Sequence, residues 1–143
     1  MIRQATQEDI PAIVDMTKAM LEELGDEYTE SHVVNLVVLS YRIAPCFLLL
    51  KGGIICGMAG LSLRFSPFSG QATLIDYGFY IQPRHRSYSL FSGLIEECKK
   101  YANKVGLPLS MNLQANIPNK VKETLFKRKG FKVVSMIGEY VNE

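Results

Sequence analysis

At 143 residues, 48% of them hydrophobic, the chain suits a single domain spanning residues 1–143 that can bury a core without covalent staples. Its three cysteines, Cys46, Cys56 and Cys98, are scattered and odd in number, with no CxxC pair or Cys/His cluster; this argues against a disulfide framework and a metal site, and fits free thiols in a reducing cytoplasm. The net charge of +2 divides into −6 over residues 1–30 and +8 over the remainder, which fits either ordinary solvated helix faces or a chain handling a cation with its first part and an anion with its second.

In chain order, "MIRQAT" reads as a short strand. No apolar segment follows Arg3, so no leader peptide is expected. No apolar stretch reaches the ~18 residues of a membrane span. Thr6 can cap a helix, with Asp9 in the capping-box position. Ile10, Ile13, Val14, Met16, Met20, Leu21 and Leu24 then keep helical spacing up to Gly25. "DEYTE" is an acidic connection, after which Thr29 or Ser31 opens a second helix carrying Val33, Val34, Leu36, Val37 and Tyr41 and stopped by Pro45.

The period then changes. "CFLLLKGGIICGMAGLSLRF" predicts two strands joined at Gly52-Gly53, and "SPFSG" a loop. "ATLIDYGFYIQP" predicts a third strand of this group, with Asp76, Gly78 and Tyr80 on one face and Ile75, Tyr77, Phe79 and Ile81 on the other. A helix from about Arg86 to Val105 follows, closed by Gly106. "LPLSMNLQA" predicts another strand. "NIPNKVKETLFKRKGF" predicts a short helix capped by Asn116 or Asn119 and ended by Gly130, and "FKVVSMIGEYV" a final strand. The order β-α-α-β-β-β-α-β-α-β is that of a layered α/β or α+β domain.

Between the strand ending at Pro83 and the helix lies "RHRSYS", a basic, serine-rich turn of the kind that holds a phosphate at a helix N-terminus, though with no glycine between Gly78 and Gly93. With this turn in place the whole pattern, Met1 to Val141, resembles the GNAT superfamily of acetyl-CoA-dependent N-acetyltransferases. "MIRQATQEDIPAIVDM" is similar to the family's opening strand and helix, "IQPRHRSYSLFSGLI" to its Val-x-Pro-x-x-Arg-Gly-x-Gly-x-Gly segment, and "NKVKETLFKRKGF" to its late Asn…Tyr-x-x-x-Gly-Phe segment. The serine-rich turn also resembles short acetyltransferase-like proteins of bacteriophages. The fold implied is a mixed, mostly antiparallel central sheet flanked by helices.

Register at the turn has two solutions. Pro83 and Arg86 align with the family's Pro and Arg and bring Leu94-Ile95 onto its apolar pair, with Ser87, Ser89 and Phe91 replacing three glycines. Starting at Arg84 instead puts Ser92-Gly93 on that pair. In the first register the resemblance implies acetyl-CoA held by Tyr80, Ile81, Arg86, Ser87, Tyr88, Ser89, Leu90 and Phe91, with Asn119 reaching its pantetheine arm or serving as a plain helix N-cap.

The resemblance implies acetyl transfer to a primary amine by direct attack. Asp76 is the candidate base, or else a structural carboxylate bonded to backbone or Arg. Phe126 takes the place of the family's tyrosine, so the acid for the leaving thiolate is Tyr88, another tyrosine or solvent. Asp26, Glu27 and Tyr28 are the candidate acceptor site, suited to a cationic small-molecule or protein amine. No metal, no specific nucleic acid and no membrane partner is expected, and a homodimer is a candidate assembly. The alternative function is a catalytically impaired GNAT-fold binding module.

Overall fold

The computed structural model describes residues 1–113, 117–134 and 140. Strand β1 (Ile2–Gln4) leads through a 3-10 turn (Gln7–Asp9) into α1 (Ile10–Leu24) and α2 (Glu30–Ile43). Strands β2 (Cys46–Lys51), β3 (Ile54–Phe65) and β4 (Ala72–Ile81) follow, then α3 (Tyr88–Val105), β5 (Leu109–Ser110) and α4 (Asn119–Arg128). The strands form one sheet in the order β1-β2-β3-β4-β5, antiparallel except for the parallel pair β4-β5. This is the mixed, mostly antiparallel sheet expected from the sequence. Among the described residues no helix is long and apolar enough to cross a membrane.

Local chemistry accounts for most element ends. The Gly52-Gly53 turn has φ of 57° and 77°, the doubly left-handed conformation that closes a two-residue hairpin and that other residues resist. α1 stops at Gly25 and α3 at Gly106. Asp9 accepts the Thr6 N–H at 2.8 Å, as the capping-box spacing predicts, and also takes both guanidinium nitrogens of Arg3 at 2.7 and 3.0 Å.

The sheet separates two cores. Against one face, α1 and α2 pack Ile13, Met20, Val33 and Val37 onto Leu48, Leu50, Met58 and Tyr80. Against the other, α3 and α4 pack Leu94, Ile95, Cys98 and Leu125 onto Leu49, Leu61, Leu74, Phe79 and Ile81. Each fully buried Leu or Ile contributes about 1.5–3 kcal/mol. Phe91, in the first turns of α3, stacks on Phe79 with ring centroids 5.7 Å apart.

Four expectations need correction or bounding. α3 begins at Tyr88, two residues later than expected, because Pro83–His85 form their own 3-10 turn and Arg86 is extended. α4 begins with Asn119 itself, after Pro118, so Asn119 is its first residue and not its cap; Asn116 lies outside the described residues. The strand at Leu109 is only two residues long. The predicted final strand falls largely outside the described residues, and residues 131–134 are in neither helix nor strand.

Candidate active site

β4 carries the local feature on which the site depends. Its register with β3 runs Gly57↔Ile81 to Gly60↔Gly78 and then shifts, so that Leu61 faces Asp76 and Tyr77 has no opposite number. A bulge reverses the alternation beyond it. The expectation that Asp76, Gly78 and Tyr80 share a face is therefore wrong. Tyr80 packs in the core beneath α1 and α2, whereas Leu74 lies in the core beneath α3, the side on which Asp76 sits by strand alternation. Tyr77 and Tyr80 instead belong to one face.

The bulge also fits Tyr77 to its surroundings. Its ring lies over Gly60, where a Cβ would overlap it. Its hydroxyl is buried with no hydrogen-bond partner among the described residues. The neighbouring Cys46 thiol does not meet hydrogen-bond geometry, and burial pushes that thiol up to about 12.

At the bulge β4 and β5 part. β5 pairs with β4 only at Leu74↔Leu109 and Ile75↔Ser110. Just beyond, Asp76 replaces the ladder: its Oδ1 accepts the Asn112 N–H at 2.9 Å and its Oδ2 the Leu113 N–H at 3.0 Å. Leu113 is fully buried with φ of 48°, a left-handed conformation costing about 1–2 kcal/mol for a side chain of this kind, and the Asp76 bond helps to hold it. Burial raises the Asp76 pKa, and the two backbone N–H groups pull it back. Of the two readings of Asp76, this is the geometry of a carboxylate bonded to backbone, at the position where a base was expected.

From Tyr77 to Ile81 the edge of β4 that faces away from β3 has no strand partner among the described residues. At about 3.3 Å per residue it is a run of roughly 17 Å of open backbone. It ends at the serine-rich turn. There Ser87 caps α3, its Oγ accepting the Leu90 N–H at 3.3 Å, and the Phe91 N–H bonds the Ser87 carbonyl at 3.2 Å. The N–H groups of Tyr88 and Ser89 make no hydrogen bond among the described residues, at the positive end of an 18-residue helix. The turn between β4 and α3 is thus closed without glycine, by serine capping.

α4 follows the same edge. Near its start Lys122 is half-buried within electrostatic reach of Asp76, and burial lowers its pKa. At its end Arg128 stands over the Tyr88 ring, 5.5 Å from the centroid. Phe126 packs on Phe131 with centroids 5.3 Å apart. Lys122 is not among the site residues expected from the sequence. Its position four residues before Phe126, on one helix face, was the available signal.

The other expected residues are distributed as follows. Tyr80 and Ile81 are buried by their side chains, in opposite cores, so only their backbone is open to a ligand. Phe91 is core, Leu90 packs against that core, and Asn119 is exposed. Arg86 does not face the turn's N–H groups. Its Nε donates to the Ile81 carbonyl at 2.8 Å, its Nη1 to Glu23 Oε1 at 2.8 Å and its Nη2 to Glu23 Oε2, and the guanidinium covers Tyr80. Glu23, whose pKa the Arg86 contact lowers, was missed; nothing local distinguishes it from the other acids of α1.

Asp26 and Glu27 are exposed in the link between α1 and α2, and the Tyr28 hydroxyl donates to Glu22. Glu27 and Tyr28 line a shallow pocket of about 410 Å³ with Thr29, His32, Val33 and Leu36. A larger hollow, about 620 Å³, lies between β5, the end of α3 and residues 129–134, and contains neither the turn nor the open edge.

No family model and no curated protein matches the sequence. In structure the chain is similar to a probable acetyltransferase at 17% identity, covering 100% of this chain and 97% of that one, with a TM-score of 0.76. It is similar to a predicted acetyltransferase from Clostridium acetobutylicum solved with acetyl-CoA, at 15% identity, 99% and 95% coverage and a TM-score of 0.76. It is also similar to the aminoglycoside 6'-N-acetyltransferase AAC(6')-IG of Acinetobacter haemolyticus, at 15% identity, 100% and 98% coverage and a TM-score of 0.72. The fold is that of the GNAT acetyltransferases, over the whole length that the sequence pattern indicated.

Proposed function

We propose that the chain is an acetyl-CoA-dependent N-acetyltransferase acting on a small cationic amine by direct attack. The observation that carries this reading is the unpaired β4 edge running from the bulge into the capped N-terminus of α3. The free N–H groups of Tyr88 and Ser89 suit a diphosphate. The open backbone of residues 77–81 suits an extended arm carrying two amides, which adds to the edge as a strand would. An arm of that reach sets its thioester near Asp76 and Tyr77.

In this reading the acidic link at Asp26, Glu27 and Tyr28 draws the amine in, and the aminoglycoside acetyltransferases among the structural neighbours support a small acceptor. The ammonium gives up a proton to Asp76 or to a water on it, the neutral nitrogen attacks the carbonyl, the C–S bond breaks, and the nitrogen releases its second proton to solvent to leave the amide. Asp76 acts first by holding the groove open through Asn112 and Leu113. Tyr88 belongs to the phosphate end, and the thiolate takes its proton from solvent. A second reading, a module that binds acetyl-CoA without transferring it, is favoured by Phe126, a side chain with no proton to give.

Incubating the protein with acetyl-CoA and a panel of aminoglycosides, polyamines and lysine peptides, followed by mass spectrometry, separates the two. A gain of one acetyl group on a small amine, with release of the thiol, supports transfer. Binding of acetyl-CoA with no acetylated product across the panel supports the module.

A further inference from the structure

The outer face of α2 carries an apolar seam that the fold leaves exposed. Val33 and Val37 turn inward to the core, whereas Leu36, Leu39 and Ile43 keep 42%, 57% and 51% of their surface open. With His32, also exposed, they are spaced 4-3-4, which on an α-helix confines all four to one stripe roughly 60° wide. Large apolar side chains aligned in this way mark a surface that pairs with another. The two ends of the seam differ. At the start of α2 it opens into the shallow hollow of about 410 Å³, lined by Tyr28, Val33 and Leu36 and edged by Glu27 and His32. At the end of α2 Leu39 and Ile43 project, with Arg42 in the same last turn. Neither Glu27 nor Arg42 enters an ion pair among the described residues. One end therefore offers a hole and a carboxylate, and the other offers knobs and a guanidinium. Such a face is complementary to itself when turned about a two-fold axis across the helix.

We propose that this face of α2 is the interface of a symmetric homodimer, with the two α2 helices packed antiparallel. Each copy lays Leu39 and Ile43 against Leu36 and the hollow of the other, and sets Arg42 beside the other's Glu27. The occupant is a second copy and not an unrelated partner, because one face supplies both complementary halves. The seam runs along only about 16 Å of helix, so the interface is small and its dissociation constant is on the order of micromolar. The pairing does not depend on the acetyltransferase reading. On that reading the hollow adjoins the link that draws the amine, so the second copy walls the acceptor's approach. Asp26, exposed beside the hollow, keeps its charge for the amine.

The test is sedimentation velocity over a range from roughly 1 µM to roughly 500 µM protein, which brackets such an affinity. The wild type should pass from one chain to two across that range. The double variant Leu39→Glu, Ile43→Glu, at two exposed positions, should stay monomeric at the highest concentration while melting as the wild-type monomer does. Arg42→Glu and Glu27→Arg should each weaken the dimer roughly tenfold or more, since symmetry sets two like-charged pairs in every dimer. Combining those two substitutions exchanges the charges and should restore association. This charge arm leaves the apolar seam intact, so it decides the matter even if the double glutamate variant fails to fold. A wild type that stays monomeric throughout overturns the inference and leaves the face to a different protein. A dimer that survives in the folded double glutamate variant overturns it, because another surface then pairs. Charge reversals without effect, or an exchange that restores nothing, overturn the antiparallel pairing.

Discussion

The guanidinium of Arg86 and the carboxylate of Glu23, 63 positions apart, meet face to face, two nitrogens on two oxygens, and tie the end of α1 to the turn before α3. Both side chains are largely buried, with 18% and 22% of their surface exposed. The same arginine also binds the Ile81 carbonyl, so one side chain fixes the end of β4, the turn and α1. A turn lacking glycine is held in place from outside.

Removing that brace should be felt in stability. Glu23→Ala leaves a half-buried guanidinium without its partner and should cost about 1–3 kcal/mol in urea unfolding. Arg86→Lys should recover little, because an ammonium cannot reproduce the paired contact and the Ile81 bond together. Losses under half a kcal/mol in both variants would mean the pair is incidental.

Asp76 makes two roles separable. If its first task is to hold Asn112 and Leu113, Asp76→Asn presents an NH2 to one of two backbone N–H groups and should destabilise by about 1–3 kcal/mol. A variant as stable as the wild type, with acetyl-CoA binding intact and kcat reduced by roughly 10²–10⁴, would instead assign Asp76 the role of base.

Acid stability should follow Asp9. Arg3 holds its carboxyl down from 3.8 to about 2. A depressed folded-state pKa means a stabilisation present above the unfolded value and lost as pH falls through the folded one, here between about pH 4 and pH 2. Glu23 adds to the loss with the same sign, while Asp76, its pKa raised, has the opposite sign. Melting temperatures from pH 5 to pH 2 should therefore fall less steeply in Asp9→Asn than in the wild type. Identical slopes would remove the Arg3–Asp9 pair from the account.

Tyr77 and Gly60 test the bulge. Tyr77→Phe deletes a buried hydroxyl that has no partner among the described residues and should leave stability unchanged or raise it by up to about 1 kcal/mol. Gly60→Ala sets a methyl into the Tyr77 ring and should destabilise by about 1–3 kcal/mol. A destabilised Tyr77→Phe would show that the hydroxyl is bonded after all.

What the sequence disclosed and what it withheld divide by range. The stops at Gly25 and Gly106 and the Gly52-Gly53 hairpin depend on residues within one turn, and they are where the sequence put them. The bulge depends on how β3 pairs with β4, so period-two alternation carried Asp76 onto the wrong face. The partners of Asp76 lie 36 and 37 residues away and that of Arg86 lies 63 away, distances at which no local pattern speaks. Serine at 87 was read as a substitute for glycine, but it works as a cap, a role its side chain fills and glycine's cannot.

The most direct measurement is the affinity of acetyl-CoA for the wild-type protein and for Ser89→Glu, by calorimetry, with unfolding curves to verify that the variant is folded. Ser89 is exposed in the first turn of α3, and its N–H is one of the two left free there. The account predicts saturable one-to-one binding by the wild type. It predicts the loss of that binding when a carboxylate stands against the diphosphate, at unchanged stability. Equal affinity in the two proteins, or no binding by the wild type at all, would contradict it.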